Sequence, residues 1–123
     1  MAIKIVLIDD SHAALSWLKD NLSPVGFHVD THDSPIGAQA FIANSAPDLV
    51  LLDVQMPGLD GAQLCKMIKK NKKLSKTPII FYSGLSTDKL KSLVKSCQAD
   101  GFIKKTSDVP RLEAQIKKFV PKK

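Results

Sequence analysis

Three short apolar runs along the chain predict buried strands. They cover residues 3–8, 49–52 and 79–82, and they consist mainly of β-branched residues, leucine and aromatic residues. The last two runs contain no alternating polar positions, which is typical of strands that are buried on both faces of a parallel sheet. Two weaker runs, at 27–31 and 101–103, predict two further strands.

Segments with a helical period separate these strands. Apolar side chains recur in them at three- and four-residue spacing, which predicts five helices with one face against the sheet. The second helix is predicted to begin at Pro35 with Ser34 as its N-cap. The third, over 61–71, is predicted to bury Met67, and the fifth is predicted to be capped by Asp108. Five alternations of strand and helix indicate an open parallel sheet with helices on both faces.

Polar side chains follow the predicted strands at the points where the strands end. In chain order they are Asp9 and Asp10 after the first strand, Asp53 after the third, Ser83 after the fourth, and Lys104 and Lys105 after the fifth. Ligands of open parallel sheets bind beyond the carboxyl ends of the strands, so these groups should share one rim. Three close carboxylates repel one another unless a cation is bound, and an all-oxygen set suits Mg²⁺. A metal beside a carboxylate, a hydroxyl and an ammonium group is suited to phosphoryl transfer.

Four segments of the chain resemble the signatures of the response-regulator receiver family. They are DD at 9–10, DVQMPGLDG at 53–61, FYSG at 81–84 and GFIKK at 101–105. Their order and their strand ends are those of the family, and the resemblance covers essentially the whole chain. It implies one receiver domain over residues 1–123, with a flavodoxin-like doubly wound (βα)5 fold and the strand order 2-1-3-4-5. No output domain is expected within these residues, and the chain is either a stand-alone receiver or a receiver excised from a longer protein.

The resemblance implies a role for each site residue. Asp53 would accept a phosphoryl group as an acyl phosphate. Asp10 and Asp53 would bind Mg²⁺ directly together with the backbone carbonyl of Gln55, while Asp9 would act mainly through water. Ser83 would donate a hydrogen bond to a phosphoryl oxygen.

The same resemblance also indicates which lysine belongs to the site and which aromatic residue would move on phosphorylation. In the family the active-site lysine lies three residues after the aromatic, so Phe102 selects Lys105, and Lys104 would be a surface charge. After phosphorylation Ser83 would move towards the phosphoryl group and Phe102 would turn inward. That movement would repack the fourth helix, fifth strand and fifth helix into a face that binds a downstream protein. Thr106 stands where the family commonly has proline, so the cis peptide bond usual there is not expected.

Composition narrows the classes of protein that fit. The 123 residues are 44% apolar and 24% charged, which is ordinary for one globular domain. No apolar run approaches the roughly 20 residues that span a bilayer, and the N-terminus lacks a signal-peptide layout. A cytoplasmic protein without membrane binding is therefore expected. Cys65 and Cys97 fit neither a redox pair nor a metal-ligand spacing, and reduced thiols are expected.

The formal net charge of +6 is unevenly distributed. No acid occurs between Gly61 and Thr87, but this stretch contains Lys66, Lys69, Lys70, Lys72, Lys73 and Lys76. One interpretation is a solvated helix end, because cations are favoured near a helix C-terminus. The other is a docking surface for an acidic partner or a nucleic-acid backbone. Arg111 alone could make the forked contacts that are typical of specific phosphate recognition, which favours the first interpretation.

The resulting hypothesis is a switch phosphorylated by a sensor histidine kinase or a phosphotransfer protein. It would be a monomer or weak homodimer that catalyses only its own phosphorylation and dephosphorylation and does not bind nucleic acid directly. One alternative is a receiver-like scaffold that is never phosphorylated, and another is a lysine-rich nucleic-acid binder, for which no recognition module is visible. A haloacid-dehalogenase-like phosphatase would need an aspartate as general acid where the chain has Gln55.

Overall fold

The computed structural model of the chain describes residues 2–56 and 60–120. Its elements are β1 (Ile3–Ile8), α1 (His12–Leu22), a 3₁₀ turn (Ser23–Val25), β2 (Phe27–His32), α2 (Ala38–Ser45), β3 (Leu49–Leu52), α3 (Gly61–Lys70), β4 (Ile79–Ser83), α4 (Thr87–Cys97), β5 (Gly101–Lys104) and α5 (Val109–Phe119). None of these helices has the length and apolar character that a bilayer span requires. Residues 57–59 of the second signature lie outside the described residues.

The five strands form one parallel sheet in the order β2-β1-β3-β4-β5, which confirms the predicted flavodoxin-like topology. β1 lies between β2 and β3, so the direction in which strands are added to the sheet reverses there. Such a reversal opens a crevice at the carboxyl ends of the neighbouring strands. Sheet-like pairing continues past the strand ends, because the Asp53 N–H donates to the Ile8 carbonyl and the Lys105 N–H donates to the Ser83 carbonyl, both at 2.9 Å.

The sheet separates two apolar layers. α1 and α5 pack on one face, and α2, α3 and α4 pack on the other. All four residues of 49–52 are fully buried, two in each layer, which explains why this run contains no polar position. Burial of each such leucine or isoleucine stabilises the fold by roughly 1.5–3 kcal/mol, so the packed sheet holds the loops at its strand ends in place. Cys65 and Cys97 are buried and free, as predicted, and burial raises the pKa of the Cys65 thiol to about 12.

Side-chain caps begin four of the helices in the described part of the chain. In each case a side-chain oxygen accepts the backbone N–H three residues later, which satisfies one donor of the first turn. The capping residues are Ser11, Asp60, Ser86 and Asp108. The predicted cap of α5 is therefore confirmed.

α2 begins later than the sequence predicts. The helix starts at Ala38, because Gly37 has a left-handed φ of 75° and separates it from the preceding turn. In that turn the Ser34 Oγ accepts the Ile36 N–H at 3.0 Å instead of capping the helix. The prediction that Pro35 opens α2 is therefore wrong.

α3 differs from the prediction at two side chains. Met67 is 45% exposed, and the buried stripe of α3 includes Leu64 and Ile68 without it. Lys69, by contrast, is not a solvated lysine. Its Nζ lies 2.6 Å from the Asp100 Oδ2, and its side chain is 11% exposed. This ion pair connects α3 to the residue that precedes β5.

Candidate functional site

Three carboxylates meet in the crevice between β1 and β3. Asp9 and Asp10 follow β1 directly, and Asp53 follows β3 directly. One carboxylate oxygen from each lies within 4.8 Å of the others. Asp9 and Asp53 are buried, whereas Asp10 is exposed. The structure thus brings together the three acids that the sequence singled out and leaves one side of the cluster open to solvent.

Asp9 links the start of α1 to the end of the last strand. Its Oδ1 accepts the Ser11 N–H at 2.9 Å, and Ser11 in turn caps α1 at the Ala14 N–H. Its Oδ2 lies 3.0 Å from the Nζ of Lys105. Because Asp9 is only 1% exposed, removal of this lysine would leave a buried charge without its partner.

Lys105, and not Lys104, reaches the acids. The Lys105 Nζ also lies 3.9 Å from the Asp53 Oδ2, whereas Lys104 ends β5 as an exposed residue. The ring of Tyr82 in β4 faces the same ammonium group, with 5.7 Å between the Nζ and the ring centroid. At this distance a cation is attracted to the face of an aromatic ring. Tyr82 and Asp9 therefore both help to hold Lys105 at the crevice.

The surroundings of Asp53 disfavour the charged form of its carboxylate, mainly because the group is buried. Burial raises the pKa of Asp53 to about 6, because desolvation disfavours the charged carboxylate. The Gln55 N–H, which donates to the Asp53 Oδ1 at 3.0 Å, lowers that pKa, the charge of Asp9 raises it, and the Lys105 ammonium group lowers it. Lys105 thus faces two of the three acids, Asp9 and Asp53, and a further cation would stabilise the charged form of the cluster.

The oxygen donors of this cluster fit Mg²⁺. Carboxylate oxygens are ligands that this ion prefers, and it keeps several water molecules, which the exposed side at Asp10 allows. Both oxygens of Asp9 are engaged, one by the Ser11 N–H and the other by Lys105. At Asp53 the Oδ1 accepts the Gln55 N–H, but the Oδ2 lies farther from Lys105, at 3.9 Å, and each of the three acids can offer one oxygen to an ion.

The two expected switch residues lie on the neighbouring strands. Ser83 is fully buried at the end of β4, and its Oγ accepts the Leu85 N–H at 3.2 Å. Phe102 is half-buried in β5, and it packs with Leu85 against the apolar layer of α2, α3 and α4. The described residues contain no cis peptide bond, as the threonine at 106 leads one to expect.

Two residues of the site had no assigned role in the sequence analysis. A Cβ at Gly61 would overlap the Asp53 carbonyl oxygen and would lie 2.7 Å from the Val54 Cα, so the start of α3 approaches the end of β3 more closely than a side chain permits. Tyr82 belongs to the apolar layer of α1 and α5, with its ring at Lys105. The feature of the sequence that could have pointed to Tyr82 is a polar aromatic residue directly before Ser83 in an otherwise apolar strand. The position of Gly61 directly after the capping Asp60 is the feature of the sequence that could have pointed to it.

Comparison with known proteins agrees with this architecture. Residues 5–117 match the family model of the response regulator receiver domain. The chain is 33% identical to Protein PilG of Pseudomonas aeruginosa over 121 residues, which are 97% of this chain and 88% of PilG. It is 30% identical to the phosphate regulon transcriptional regulatory protein PhoB of Rhizobium meliloti over 119 residues, which are 95% of this chain and 52% of PhoB. The chain thus spans about half the length of several relatives that it matches.

The fold also matches solved structures over nearly its whole length. The chemotaxis protein CheY4 of Vibrio cholerae superposes with a TM-score of 0.88 at 22% identity, over 98% of this chain and 100% of CheY4. At that identity the match concerns the fold alone. The family match, however, extends from β1 into α5 and includes Asp9, Asp10 and Asp53. The chain therefore belongs to the response regulator receiver family of two-component signalling systems.

Proposed function

We propose that the chain is a phosphorylation-dependent signalling switch in which Asp53 accepts a phosphoryl group. The donor would be a phosphohistidine of a sensor histidine kinase or of a phosphotransfer protein, with Mg²⁺ as cofactor. The observation that carries the proposal is the position of Lys105, which is paired with Asp9 and lies 3.9 Å from Asp53. It places a fixed cation beside a buried carboxylate at the rim of the crevice.

The local geometry of Asp53 supports its role as the acceptor. The Gln55 N–H holds the Oδ1, so the carboxylate has a fixed orientation with its Oδ2 towards Lys105. A carboxylate oxygen would form a bond to phosphorus while the phosphorus–nitrogen bond to the donor imidazole breaks. Lys105 would neutralise charge on the phosphoryl oxygens, and Asp9 would keep the lysine in position.

Asp10, Asp53 and the backbone carbonyl of Gln55 would hold Mg²⁺, with Asp9 acting through water. When it is bound, the ion supplies positive charge that offsets the repulsion among the carboxylates and the charge of the phosphoryl group. The exposure of Asp10 supports this assignment, because Mg²⁺ retains part of its water shell. The raised pKa of Asp53 supports it as well, because a cation would favour the charged carboxylate.

Ser83 and Phe102 would transmit the change to the surface. A phosphoryl group adds a charge of about −1.5 to −2 at Asp53. Ser83 would exchange its present bond with the Leu85 N–H for a bond to a phosphoryl oxygen, which would move the loop before α4. Phe102 would turn inward, and the face of α4, β5 and α5 would then bind a downstream protein.

The wider expectations rest on membership of the family. We propose a cytoplasmic protein, monomeric or weakly dimeric, that binds neither membranes nor nucleic acid directly. It would catalyse no reaction other than its own phosphorylation and dephosphorylation. The downstream target would be another protein.

Phosphorylation by a small-molecule donor tests the proposal. The protein is incubated with Mg²⁺ and acetyl phosphate, and intact mass is measured for wild type, Asp53→Asn and Asp20→Asn. Asp20 is an exposed acid of α1 and serves as the matched control. Wild type and Asp20→Asn should gain one acid-stable, base-labile phosphoryl group that Asp53→Asn lacks. Release of phosphate over many turnovers from a phosphomonoester such as p-nitrophenyl phosphate would indicate a phosphatase, and no gain of mass with acetyl phosphate would indicate a scaffold, so either result would overturn the proposal.

A further inference from the structure

A cluster of exposed lysines covers the end of α3 and the loop that leads to β4. We call it the α3 basic surface, and its lysines are Lys66, Lys70, Lys72, Lys73 and Lys76. Lys69 does not belong to it, because Asp100 binds its ammonium group. None of the five lysines forms a salt bridge with a residue of the described ranges. The surface therefore presents positive charge to solvent.

The α3 basic surface lies at the edge of the sheet opposite to the carboxylates. α3 begins at Gly61, next to the end of β3. Near its other end, the Lys69 Nζ contacts the Thr77 carbonyl and the Asp100 carboxylate, which lie just before β4 and β5. In a parallel sheet all strand starts share one edge, so a molecule bound here would not obstruct Asp53.

Helix electrostatics account for only part of this cluster. Cations stabilise the last turn of a helix, and Lys70 lies in the last turn of α3. The effect falls off within that turn, so it does not explain Lys72, Lys73 and Lys76 in the following loop. Lys66 and Lys70 are four residues apart on the helix, a spacing at which like charges repel by a few tenths of a kcal/mol. An anionic partner would offset this repulsion.

Apolar side chains are interspersed with the lysines. Met67 is 45% exposed and stands between Lys66 and Lys70 in α3. An open cleft of about 350 Å³ borders the surface at Lys73, and its accessible apolar lining comes from Ala43, Ala46 and Pro47. A partner that presented only phosphate groups would leave these apolar groups unused.

The residue types favour an acidic protein segment over a nucleic acid. The α3 basic surface contains no arginine, so the forked contacts that suit phosphates are not possible there. It also contains no aromatic side chain on which a base could stack. Lysines beside exposed apolar side chains, Met67 on α3 and Ala43 at the cleft, fit an amphipathic segment that carries both acidic and apolar side chains.

We propose that the α3 basic surface binds an acidic amphipathic segment of a partner protein. Acidic side chains of the segment contact the lysines, and its apolar side chains pack on Met67 and enter the cleft beside Lys73. This surface is separate from the face of α4, β5 and α5. Its binding needs no phosphoryl group on Asp53, so the inference stands apart from the proposed function.

A designed peptide tests this inference on the full chain. The probe is a helical peptide of about 20 residues with glutamates and a leucine stripe, and its affinity is measured at about 150 mM NaCl, where weak surface attraction is largely screened. Wild type is compared with Lys70→Glu/Lys73→Glu and with Lys19→Glu/Lys118→Glu, which reverses two exposed lysines of α1 and α5. The two double variants have the same net charge. We expect the first to lose at least about tenfold in affinity and the second less than about twofold.

Two further arms separate the possible sources of binding. A peptide with serine in place of each leucine should bind wild type several-fold more weakly, and so should the original peptide with Met67→Ser. A DNA duplex of about 20 base pairs should bind more weakly than the peptide. Equal losses in the two double variants would reduce the effect to net charge and overturn the inference. Tighter binding of DNA, or no binding of the peptide, would overturn it as well.

Discussion

Asp53 is a residue whose folded environment opposes its own charge. Its pKa is raised from 3.8 to about 6, mainly by burial. A group with a raised acid pKa binds its proton more tightly in the folded state than in the unfolded chain. Protonation of Asp53 therefore stabilises the folded state fully below about pH 4, and this stabilisation is lost as the pH rises through about 6. A shift of this size corresponds to at most about 3 kcal/mol.

Replacement of Asp53 by asparagine should accordingly stabilise the Mg²⁺-free protein. The amide resembles the neutral acid, so Asp53→Asn should raise the free energy of unfolding by about 1–3 kcal/mol near neutral pH. The gain should shrink as the pH falls through 6 to 4. Urea unfolding at a series of pH values measures both quantities, with Asp20→Asn as the control that shows no such trend. A gain that did not change with pH would contradict this account of Asp53.

Tyr82 should affect the chemistry of the site through Lys105. The attraction between the ammonium group and the ring, at 5.7 Å, is of the kind worth about 0.5–1 kcal/mol. Tyr82→Leu should therefore slow phosphorylation by acetyl phosphate about two- to fivefold, whereas Tyr82→Phe, which keeps the ring, should stay close to wild type. Equal rates in both variants would show that the ring does not position the lysine.

Among the elements, the junction of β3 and α3 is the most tightly constrained by its backbone. Gly61 faces the Asp53 carbonyl and the Val54 Cα at distances that leave no room for a methyl group. Gly61→Ala must therefore displace backbone, and we expect a loss of about 2–3 kcal/mol in the free energy of unfolding. Gly84→Ala is the matched control, because a Cβ there would meet nothing within 4 Å. Chemical denaturation of both variants measures the difference, and similar stabilities would contradict the proposed close approach.

The boundaries of the elements show where sequence patterns fall short. Four helix starts carry a capping side chain, and Asp108 was recognised from the sequence. At α2 the same kind of signal was misleading, because Ser34 and Pro35 form a turn of their own and Gly37 then interrupts the helix. Met67 was assigned to the core because it follows the apolar period of α3, but it lies at the exposed border of that stripe. Local spacing does not determine how wide the buried stripe of a helix is.

At the scale of the whole molecule, the sequence predicted the fold more completely than it predicted the contacts between residues of the site. The apolar runs identified all five strands. The three central strands, β1, β3 and β4, gave the clear signal because they are largely buried, whereas the edge strands β2 and β5 gave weaker runs. The convergence of Asp9, Asp10 and Asp53 followed from the parallel sheet. The ion pair of Lys69 with Asp100 was not predictable, because it joins residues that only the packed tertiary structure brings together.

Mg²⁺ should stabilise the whole domain, because an ion that binds only the folded state shifts the unfolding equilibrium. At a concentration about 100 times the dissociation constant the gain is about 2.7 kcal/mol. Thermal unfolding with and without Mg²⁺ should show the gain in wild type and in Asp20→Asn. Asp10→Asn should show much less of it, and because Asp10 is exposed its fold should be intact. An equal response of Asp10→Asn would remove Asp10 from the ion site.

The contact between Asp9 and Lys105 joins positions that are 96 residues apart in the chain. During synthesis the acids therefore emerge from the ribosome before the lysine that pairs with them. Until β5 has docked, the acids of the growing chain lack this lysine, so a fragment that ends before residue 105 lacks the ammonium group that lies beside Asp9 and Asp53. Under the proposed function, we expect such a fragment to accept no phosphoryl group from acetyl phosphate, so the ability to be phosphorylated would arise only once β5 has joined the sheet.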